Sequence, residues 1–456
     1  MDVLLINGAL LAAIAWRTDW LGLDVLSFVL RTAKWYITLS AVWVTVALLL
    51  DSYDLPRAAS PPQSVIVASA AALGTVGSYT LIPWLTPPLA TRGLIYAFAA
   101  LAVVGVSAWR VTYALFLAQP TFCQHALVIG AGQAGQALAR ALQPLPRVGN
   151  PVYGTGYQIV GFLDDDPAKQ GETIAGIPVL GTCQELPQWL ASLPVDEIVL
   201  AITHCHTISP TTFEALLSCR EQGWQITTMP VLYERLFGRV PVDHVGRDLY
   251  AVLPLEQGPA ERLYLAVKRL GDILLGLAGL AALGIIAPPV ALANRILCPG
   301  PLIYRQTRVG HAGKLFRICK FRTMIPNAEQ ETGAVWAADH DPRVTPVGRF
   351  LRATRLDELP QAWNVLRGEM SAIGPRPERP EFVAQLAAQI PFYRVRHAVR
   401  PGVTGWAQVR YRYGSSVDDA RIKLEYDLYY VKHAGFSLDV QIVLKSVGVM
   451  VRMAGR

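Results

Sequence analysis

Apolar residues crowd the first ~117 positions into four runs, about 3–16, 35–50, 65–82 and 94–117. Their lengths approach the roughly 20 residues that a helix needs to cross a hydrocarbon layer, with the first run short. Trp16, Trp20, Trp35, Trp84 and Trp109 lie near the ends of these runs, where an amphipathic indole favours the headgroup layer. The pattern predicts about four transmembrane helices over 1–118. The first run has no basic leader and no small-residue cleavage site, which argues against a signal peptide. The loops carry few and mixed charges, so charge asymmetry gives no orientation.

From Gln124 the pattern becomes that of a soluble α/β domain, expected over 121–255. His125-Ala126-Leu127-Val128-Ile129 reads as a buried strand, followed by Gly130-Ala131-Gly132-Gln133-Ala134-Gly135 opening an apolar helix. This is the glycine fingerprint of a Rossmann-like fold. Ile159–Leu163, ending in Asp164-Asp165-Asp166, and Glu197–Ile202 read as further strands of a small parallel sheet. Gly130, Gly132 and Gly135 with Asp164 are candidate nucleotide contacts, because such glycines let a pyrophosphate approach a helix N-terminus while an acid holds a ribose. The same turn also occurs for packing alone. A long loop with Gly149-Asn150-Pro151 and Gly154-Thr155-Gly156 places the acid late for a standard site.

A third apolar segment, about 262–298, carries Lys268 and Arg269 before it, Asp272 near its start, Pro288-Pro289 inside it and Arg295 near its end. Its length permits spanning. Prolines remove backbone donors and kink a helix, and basic residues at both ends suit a segment that enters and leaves by one face. The expectation is a re-entrant helical hairpin over about 266–297, broken at Pro288 or Pro289. Spanning would instead place the flanking domains on opposite sides of the membrane.

Composition sharpens this picture. The chain has 456 residues, 52% of them apolar, with a mean hydropathy of +0.32, which implies lipid contact and more than one domain. A net charge of +7 suits nucleic acid, an anionic bilayer or phosphate-bearing substrates equally. The six cysteines, Cys123, Cys183, Cys205, Cys219, Cys298 and Cys319, form no Cys-x-x-Cys pair, so neither a disulfide framework nor a zinc ribbon is expected. His204-Cys205-His206 alternates faces on a strand and lacks a second cluster, which argues against a metal there.

The chemistry concentrates after the third apolar segment. Lys320, Arg322, Arg349, Arg352, Arg355, Arg376, Arg400, Arg410 and Arg412 surround the acidic pair Asp357-Glu358, with glycines and prolines throughout. Guanidinium forks match phosphate oxygens bidentately. Nearby cations keep carboxylates ionised, and an ionised Asp can attack phosphorus or hold a divalent metal. A solvated face of ion pairs is the ordinary alternative. The prolines and glycines favour shaped loops around a pocket.

Lys320-Phe321-Arg322-Thr323-Met324, Leu356-Asp357-Glu358-Leu359-Pro360-Gln361, Asn364 to Ser371, Gly374-Pro375-Arg376-Pro377 and Arg400-Pro401-Gly402-Val403-Thr404-Gly405-Trp406 stand in this order. Together they resemble the successive motifs of the bacterial sugar transferases, the monotopic polyprenyl-phosphate hexose-1-phosphate transferases. The likeness covers about 260–456, and the preceding helices and Rossmann-like part resemble the large members that serve exopolysaccharide synthesis. The implied fold is membrane α plus α/β: a four-helix transmembrane region, a Rossmann-like α/β domain and a mostly α catalytic domain with a re-entrant membrane helix.

The resemblance implies that Asp357 is a nucleophile attacking the sugar-bearing phosphorus of a UDP-hexose, glucose or galactose, to release UMP. Undecaprenyl phosphate then takes the sugar phosphate. Glu358 assists as metal partner or base, with Mg²⁺ held by Asp357 and Glu358. Lys320, Arg322, Arg352, Arg376 and Arg412 are the candidate phosphate and nucleotide contacts. The family's usual Asn-Gly-Arg is Arg410-Tyr411-Arg412 here, and the helix break is a proline pair. Membrane lipid is an implied partner, a homodimer is compatible, and nucleic acid is not implied. The implied setting is the bacterial inner membrane, with both non-membrane domains on the cytoplasmic side. Two other classes compete. One is an NAD-dependent nucleotide-sugar-modifying enzyme using the glycine loop and the Tyr264-x-x-x-Lys268 spacing, and the other a non-enzymatic envelope assembly protein. Finally, 437–453 reads as an amphipathic helix that lies on the membrane or packs in the core.

Overall fold

The structure is a computed structural model that describes residues 1–15, 31–50, 52, 61–81, 86, 92–113, 124–142, 157–202, 208–245, 252, 259–326, 328, 341–411, 414 and 416–451. The chain divides into two compact units, Met1–Met229 and Pro230–Arg456.

In the first unit the four apolar runs fold as helices α1 (Asp2–Ala15), α2 (Ala33–Leu49), α3 (Pro61–Thr80) and α4 (Arg92–Thr112). They share a core in which Leu10, Leu39, Trp43, Ala72, Tyr79 and Phe98 are fully buried. Ala68, Ala71 and Ala72 belong to the same core, and the rings of Tyr79 and Phe98 meet edge to face at 6.3 Å. Asp2 and Arg110 form a buried ion pair, and Arg110 also donates to the Ser52 carbonyl at 3.0 Å. Outside that core, Leu4, Ile37, Ile66, Tyr96 and Val104 are exposed, an inversion that lipid would satisfy. Within α4, residues Gly93–Thr112 are long and apolar enough to cross a membrane, whereas the other three are shorter apolar helices.

The Rossmann-like part forms strands β1 (Gln124–Ile129), β2 (Tyr157–Leu163), β3 (Thr173–Ile174), β4 (Ile177–Gly181), β5 (Glu197–Leu200) and β6 (Gln225–Thr228). Their order is β3-β4-β2-β1-β5-β6, with every pairing parallel except the β3–β4 edge. Ala126–Ile129 are wholly buried because β1 is central and covered on both faces, which suits its unbroken apolar run. Helix α5 (Gln133–Leu142) buries Ala134, Gly135, Leu138, Ala139 and Leu142, the spacing of a helix lying on a sheet. Helices α6 (Leu186–Ser192) and α7 (Pro210–Glu221) complete this part.

The second unit begins at Pro230. Helix α8 (Met229–Phe237) stands at its start, and Val240, Val242, Val245 and Val252 share a core with Leu386, Ile390, Tyr393, Leu424 and Leu428. Apolar packing therefore assigns this segment to the C-terminal unit. Helix α9 (Pro259–Leu297) is one continuous helix of 39 residues that includes Pro288 and Pro289. The proline pair does not divide the segment into two separate helices. Proline nitrogens leave the carbonyls of Gly284 and Ile285 without their helical donors, yet the helix resumes in the next turn. Its apolar side chains, Leu263, Leu270, Leu274, Leu277, Ile285 and Leu292 among them, are exposed. Glu261–Leu297 is the second stretch long and apolar enough to cross a membrane.

The rest of the unit comprises the hairpin β7 (Ile303–Val309) and β8 (Leu315–Phe321), helices α10 (Pro346–Ala353) and α11 (Ala362–Arg367), strand β9 (Ser371–Ile373), helix α12 (Pro380–Gln389), strand β10 (Gly402–Thr404), and helices α13 (Trp406–Arg410), α14 (Val417–His433) and α15 (Phe436–Val451). Helix α15 is amphipathic, packing one side into the unit and exposing another. It buries Leu438 and Ile442, while Phe436, Val440, Val443 and Val447 form an exposed apolar stripe.

Polar residues of α9 fasten it to this unit. Arg269 donates to the carbonyls of Val365 and Leu366 at 2.8 and 2.7 Å, satisfying the C-terminal end of α11. Asp272 accepts from Ser371 Oγ at 2.9 Å and from the Ala372 amide at 2.8 Å. Near the other end, Asn294 meets Arg322 and the Gly300 carbonyl. Gly276 and Gly279 admit α11 closely, since a Cβ at either would crowd Leu366 or Ala362.

Candidate active site

Asp357 and Glu358 sit on a short 3-10 helix, Leu356–Gln361. It is entered through Arg355 in the left-handed region (φ 60°) and contains Pro360. The tight turn packs against β8 and sets both carboxylates inside the unit, 9% and 8% exposed. A solvated face of ion pairs is thereby excluded for these two residues.

The two acids have different surroundings. Glu358 Oε1 accepts from Lys320 Nζ at 3.0 Å and from Arg376 Nη2 at 2.5 Å. Lys320 projects from β8, and Arg376 from the loop after β9. Burial opposes the charge on Glu358, but Arg376 and Lys320, with Arg355 behind them, hold it well below the usual carboxylate range. Asp357 is the reverse. Burial pushes its carboxyl above the usual range and the charge of Glu358 adds to this, while Lys320, Arg376 and Arg355 pull the other way. Among the described residues, no side-chain hydrogen bond or ion pair reaches the Asp357 carboxylate. One carboxylate is fixed by cations, and its neighbour is left without a side-chain partner.

Backbone packing shapes the loop that carries Arg376. The amide of Gly374 donates to the Thr404 carbonyl at 2.9 Å, and that of Gly402 to the Pro375 carbonyl at 2.9 Å. A Cβ at Gly374, Gly402 or Gly405 would collide with this crossing of chains. The Gly-Pro-Arg-Pro and Arg-Pro-Gly-Val-Thr-Gly motifs are therefore two halves of one support.

The other sequence candidates divide. Arg352, on α10, donates from Nε to Thr323 Oγ1 at 3.0 Å, and its charge helps hold Asp341 low behind the stronger effect of Arg343. Arg322 is 8% exposed and gives its guanidinium to Pro301 O at 2.8 Å, Asn294 Oδ1 at 2.7 Å and Cys298 O. It ties down the end of α9. Arg412 lies outside the described residues, as do His204-Cys205-His206 and the loop 143–156. Arg396 does not stand out in the sequence, and Arg355 is there one arginine among many. Yet the charge of Arg355 influences the acidic pair, and Arg396 anchors its surroundings. The signal is faint because arginine is abundant throughout this segment.

Two carboxylates alone can support Mg²⁺ when substrate phosphates and water complete its octahedron. The unpartnered Asp357 and the second oxygen of Glu358 suit that arrangement. Among the described residues there is no group of three or more His, Cys, Asp or Glu that would cage a metal without substrate.

In the Rossmann-like part the glycine loop takes its expected shape. Gly130 has φ +101°, a Cβ at Gly135 would strike the Gly130 carbonyl, and Gly132 faces open space. Asp164, however, accepts from the Ala131 amide of that loop at 2.8 Å, from the Asp166 amide at 3.0 Å and from Lys169 Nζ at 3.1 Å. The acid expected to hold a ribose is thus engaged with the loop itself. Tyr264 and Lys268 do converge, but on Asp439, at 2.8 and 2.7 Å. They join α9 to α15.

Residues 263–453 match the family model described as bacterial sugar transferase, and residues 49–207 match one described as a CoA-binding domain. The chain is 46% identical to the UDP-N-acetylgalactosamine-undecaprenyl-phosphate N-acetylgalactosaminephosphotransferase of Aeromonas hydrophila, over 47% of this chain and 49% of that protein. This match thus spans about half the length of the Aeromonas relative. It is 27% identical to the UDP-galactose-lipid carrier transferase of Erwinia amylovora, over 73% of this chain and 69% of that one. With the UDP-glucose:undecaprenyl-phosphate glucose-1-phosphate transferase of Escherichia coli (strain K12) it shares 31% identity, over 74% of each chain. A likeness that runs so far beyond the motif-bearing segment, joined to a buried acidic pair held by motif cations, means that the chain belongs to the bacterial sugar transferase family.

Proposed function

We propose that the protein transfers a hexose 1-phosphate from a UDP-sugar to undecaprenyl phosphate, the first step of building an exopolysaccharide or related envelope glycan. The observation that carries this reading is the buried, unpartnered carboxylate of Asp357 beside a Glu358 fixed by Lys320 and Arg376. A carboxylate oxygen of Asp357 attacks the phosphorus that bears the sugar. The bond from that phosphorus to UMP breaks, and UMP leaves with the electron pair. The phosphate of the polyprenyl acceptor then attacks the same phosphorus and expels Asp357 as carboxylate.

Lys320 and Arg376 hold Glu358 ionised and present positive charge where diphosphate charge accumulates. Arg352 supplies a further cation from α10. Asp357 and Glu358 are the residues that would hold Mg²⁺, which when bound offsets negative charge on the diphosphate. The sugar is read as glucose or galactose, and the name of the Aeromonas relative adds N-acetylgalactosamine to the candidates.

Membrane placement follows the same reading, with the four-helix region crossing the bilayer and α9 re-entrant. Supporting re-entrance, α9 is held by the same unit near its start, through Arg269 and Asp272, and near its end, through Asn294. A straight helix of 39 residues would separate its ends by about 58 Å. The catalytic unit then lies on the cytoplasmic face of the inner membrane, where UDP-sugars are available. The Tyr264 and Lys268 contacts and the engaged Asp164 weigh against an NAD-dependent reaction.

The test is UMP release from UDP-glucose, UDP-galactose and UDP-N-acetylgalactosamine in the presence of undecaprenyl phosphate, for the full chain and for Asp357→Asn. Release by the parent and its loss in the variant are expected. Unchanged release by Asp357→Asn refutes the mechanism.

A further inference from the structure

The acidic pair depends on Arg376, and Arg376 stands on a loop of glycines and prolines. Its backbone meets a second, buried arginine. Arg396, 7% exposed, donates from Nη2 to the Arg376 carbonyl at 2.9 Å. The same nitrogen reaches Asp427 Oδ2 at 2.6 Å, and Nη1 donates to Tyr393 Oη at 2.9 Å. Asp427 lies 2% exposed in the middle of α14, among Leu424, Leu428 and Tyr430.

A buried ion pair is a poor source of stability, since desolvation of both charges offsets their attraction. What it does supply is direction, because a planar guanidinium held by three acceptors on two of its nitrogens has one orientation. Here the third acceptor is the carbonyl of the residue whose side chain holds Glu358. We propose that Arg396 and Asp427 are positioning residues for the transfer reaction, fixing the Arg376 backbone so that its guanidinium meets both Glu358 and the incoming diphosphate.

The chain of contacts is continuous, from Asp427 to Arg396 to the Arg376 carbonyl, and from the Arg376 guanidinium to Glu358. The glycine crossing holds the neighbouring residues Gly374 and Pro375 from the β10 side, whereas Arg396 holds Arg376 from the side of α14. Beyond Arg376, Arg308 Nη1 donates to the Pro377 carbonyl at 3.1 Å and the Val309 amide to the Glu378 carbonyl at 2.9 Å, so Arg396 is the contact that fixes the Arg376 peptide itself between two restrained ends. A misplaced cation weakens recognition of the diphosphate before it alters the bonds being made.

This inference rests on the transferase reading above. The experiment uses the full chain in detergent, with undecaprenyl phosphate and whichever UDP-sugar of the panel the parent turns over. Arg396→Lys keeps a positive charge opposite Asp427 but cannot serve all three acceptors at once. The expected result is a rise in KM for the UDP-sugar of about tenfold, from one lost charge-assisted hydrogen bond, with a smaller change in kcat. Because Arg396 acts through Arg376, the rise vanishes when Arg396→Lys is placed in an Arg376→Lys background.

Glu425→Gln, two residues before Asp427 on the same helix, is the control for general damage to α14, and it leaves KM unchanged. Should Arg396→Lys not fold, Tyr393→Phe removes a single acceptor from the fork and raises KM several-fold. An unchanged KM, effects that multiply independently in the double variant, or an equal rise in Glu425→Gln would overturn the positioning role. If the parent releases no UMP from any UDP-sugar, the transferase reading falls and this role falls with it.

Discussion

Replacing Glu358 by glutamine tests the division of labour within the acidic pair. The parent residue is 8% exposed and accepts from Lys320 at 3.0 Å and Arg376 at 2.5 Å. Charge-assisted hydrogen bonds in such a setting contribute about 1.5–3 kcal/mol each. The amide oxygen can still accept from one cation, but it brings no charge, so two half-buried cations lose their counterion. The net loss of stability is about 3 kcal/mol, read as a lower unfolding midpoint of the detergent-solubilised chain.

The catalytic effect has two parts. Misplaced cations lower the rate by roughly a hundredfold, comparable to removing one electrostatic contact from an active site. Loss of the neighbouring negative charge also removes one of the two causes that raise Asp357. Asp357 must be ionised to attack, so activity is lost as pH falls through its pKa. In Glu358→Gln that acid limb of the kcat/KM profile therefore moves to lower pH. A rate within twofold of the parent, or an acid limb that stays or moves to higher pH, refutes the assigned roles.

Other predictions follow from packing and burial. Arg269→Ala deprives the Val365 and Leu366 carbonyls of their donors and costs about 2–4 kcal/mol, detected as faster proteolysis of the C-terminal unit. Gly402→Ala forces a Cβ into the backbone of Gly374 and Thr404, and a purified variant is expected to lose UMP release together with thermal stability. Glu425 is raised to about 7, burial outweighing the attraction of Arg239 at 3.1 Å and of Arg421, with Asp243 adding to the rise. Its folded pKa exceeds the unfolded value, so the stability it confers is full below about 4.3 and is lost as pH rises through about 7. The unfolding midpoint of Glu425→Gln should therefore gain on that of the parent between pH 6 and 8, and a gap that shrinks over that interval would contradict the argument.

The sequence by itself determined the elements. Four apolar runs became four helices because their length and composition leave no other way to satisfy the backbone in an apolar setting. The buried run at 125–129 became the central strand, and the glycine fingerprint became a strand, turn and helix with Gly130 at positive φ. The ordered motifs and the Asp357-Glu358 pair were equally legible, since they are local in the chain. Tertiary structure decided what pairing across distance controls. Nothing in the local pattern shows that Arg322 serves the end of α9 and Arg376 serves Glu358, because each is one arginine within a short motif, Phe321-Arg322-Thr323 or Pro375-Arg376-Pro377. Helix continuity through Pro288-Pro289 and the packing of Val240, Val242, Val245 and Val252 into the C-terminal core also depended on neighbours remote in sequence. The difference between Asp357 and Glu358 was of the same kind. Adjacent carboxylates are alike as sequence, and only the placement of Lys320 and Arg376 around one of them makes it a fixed anion and leaves the other without a side-chain partner.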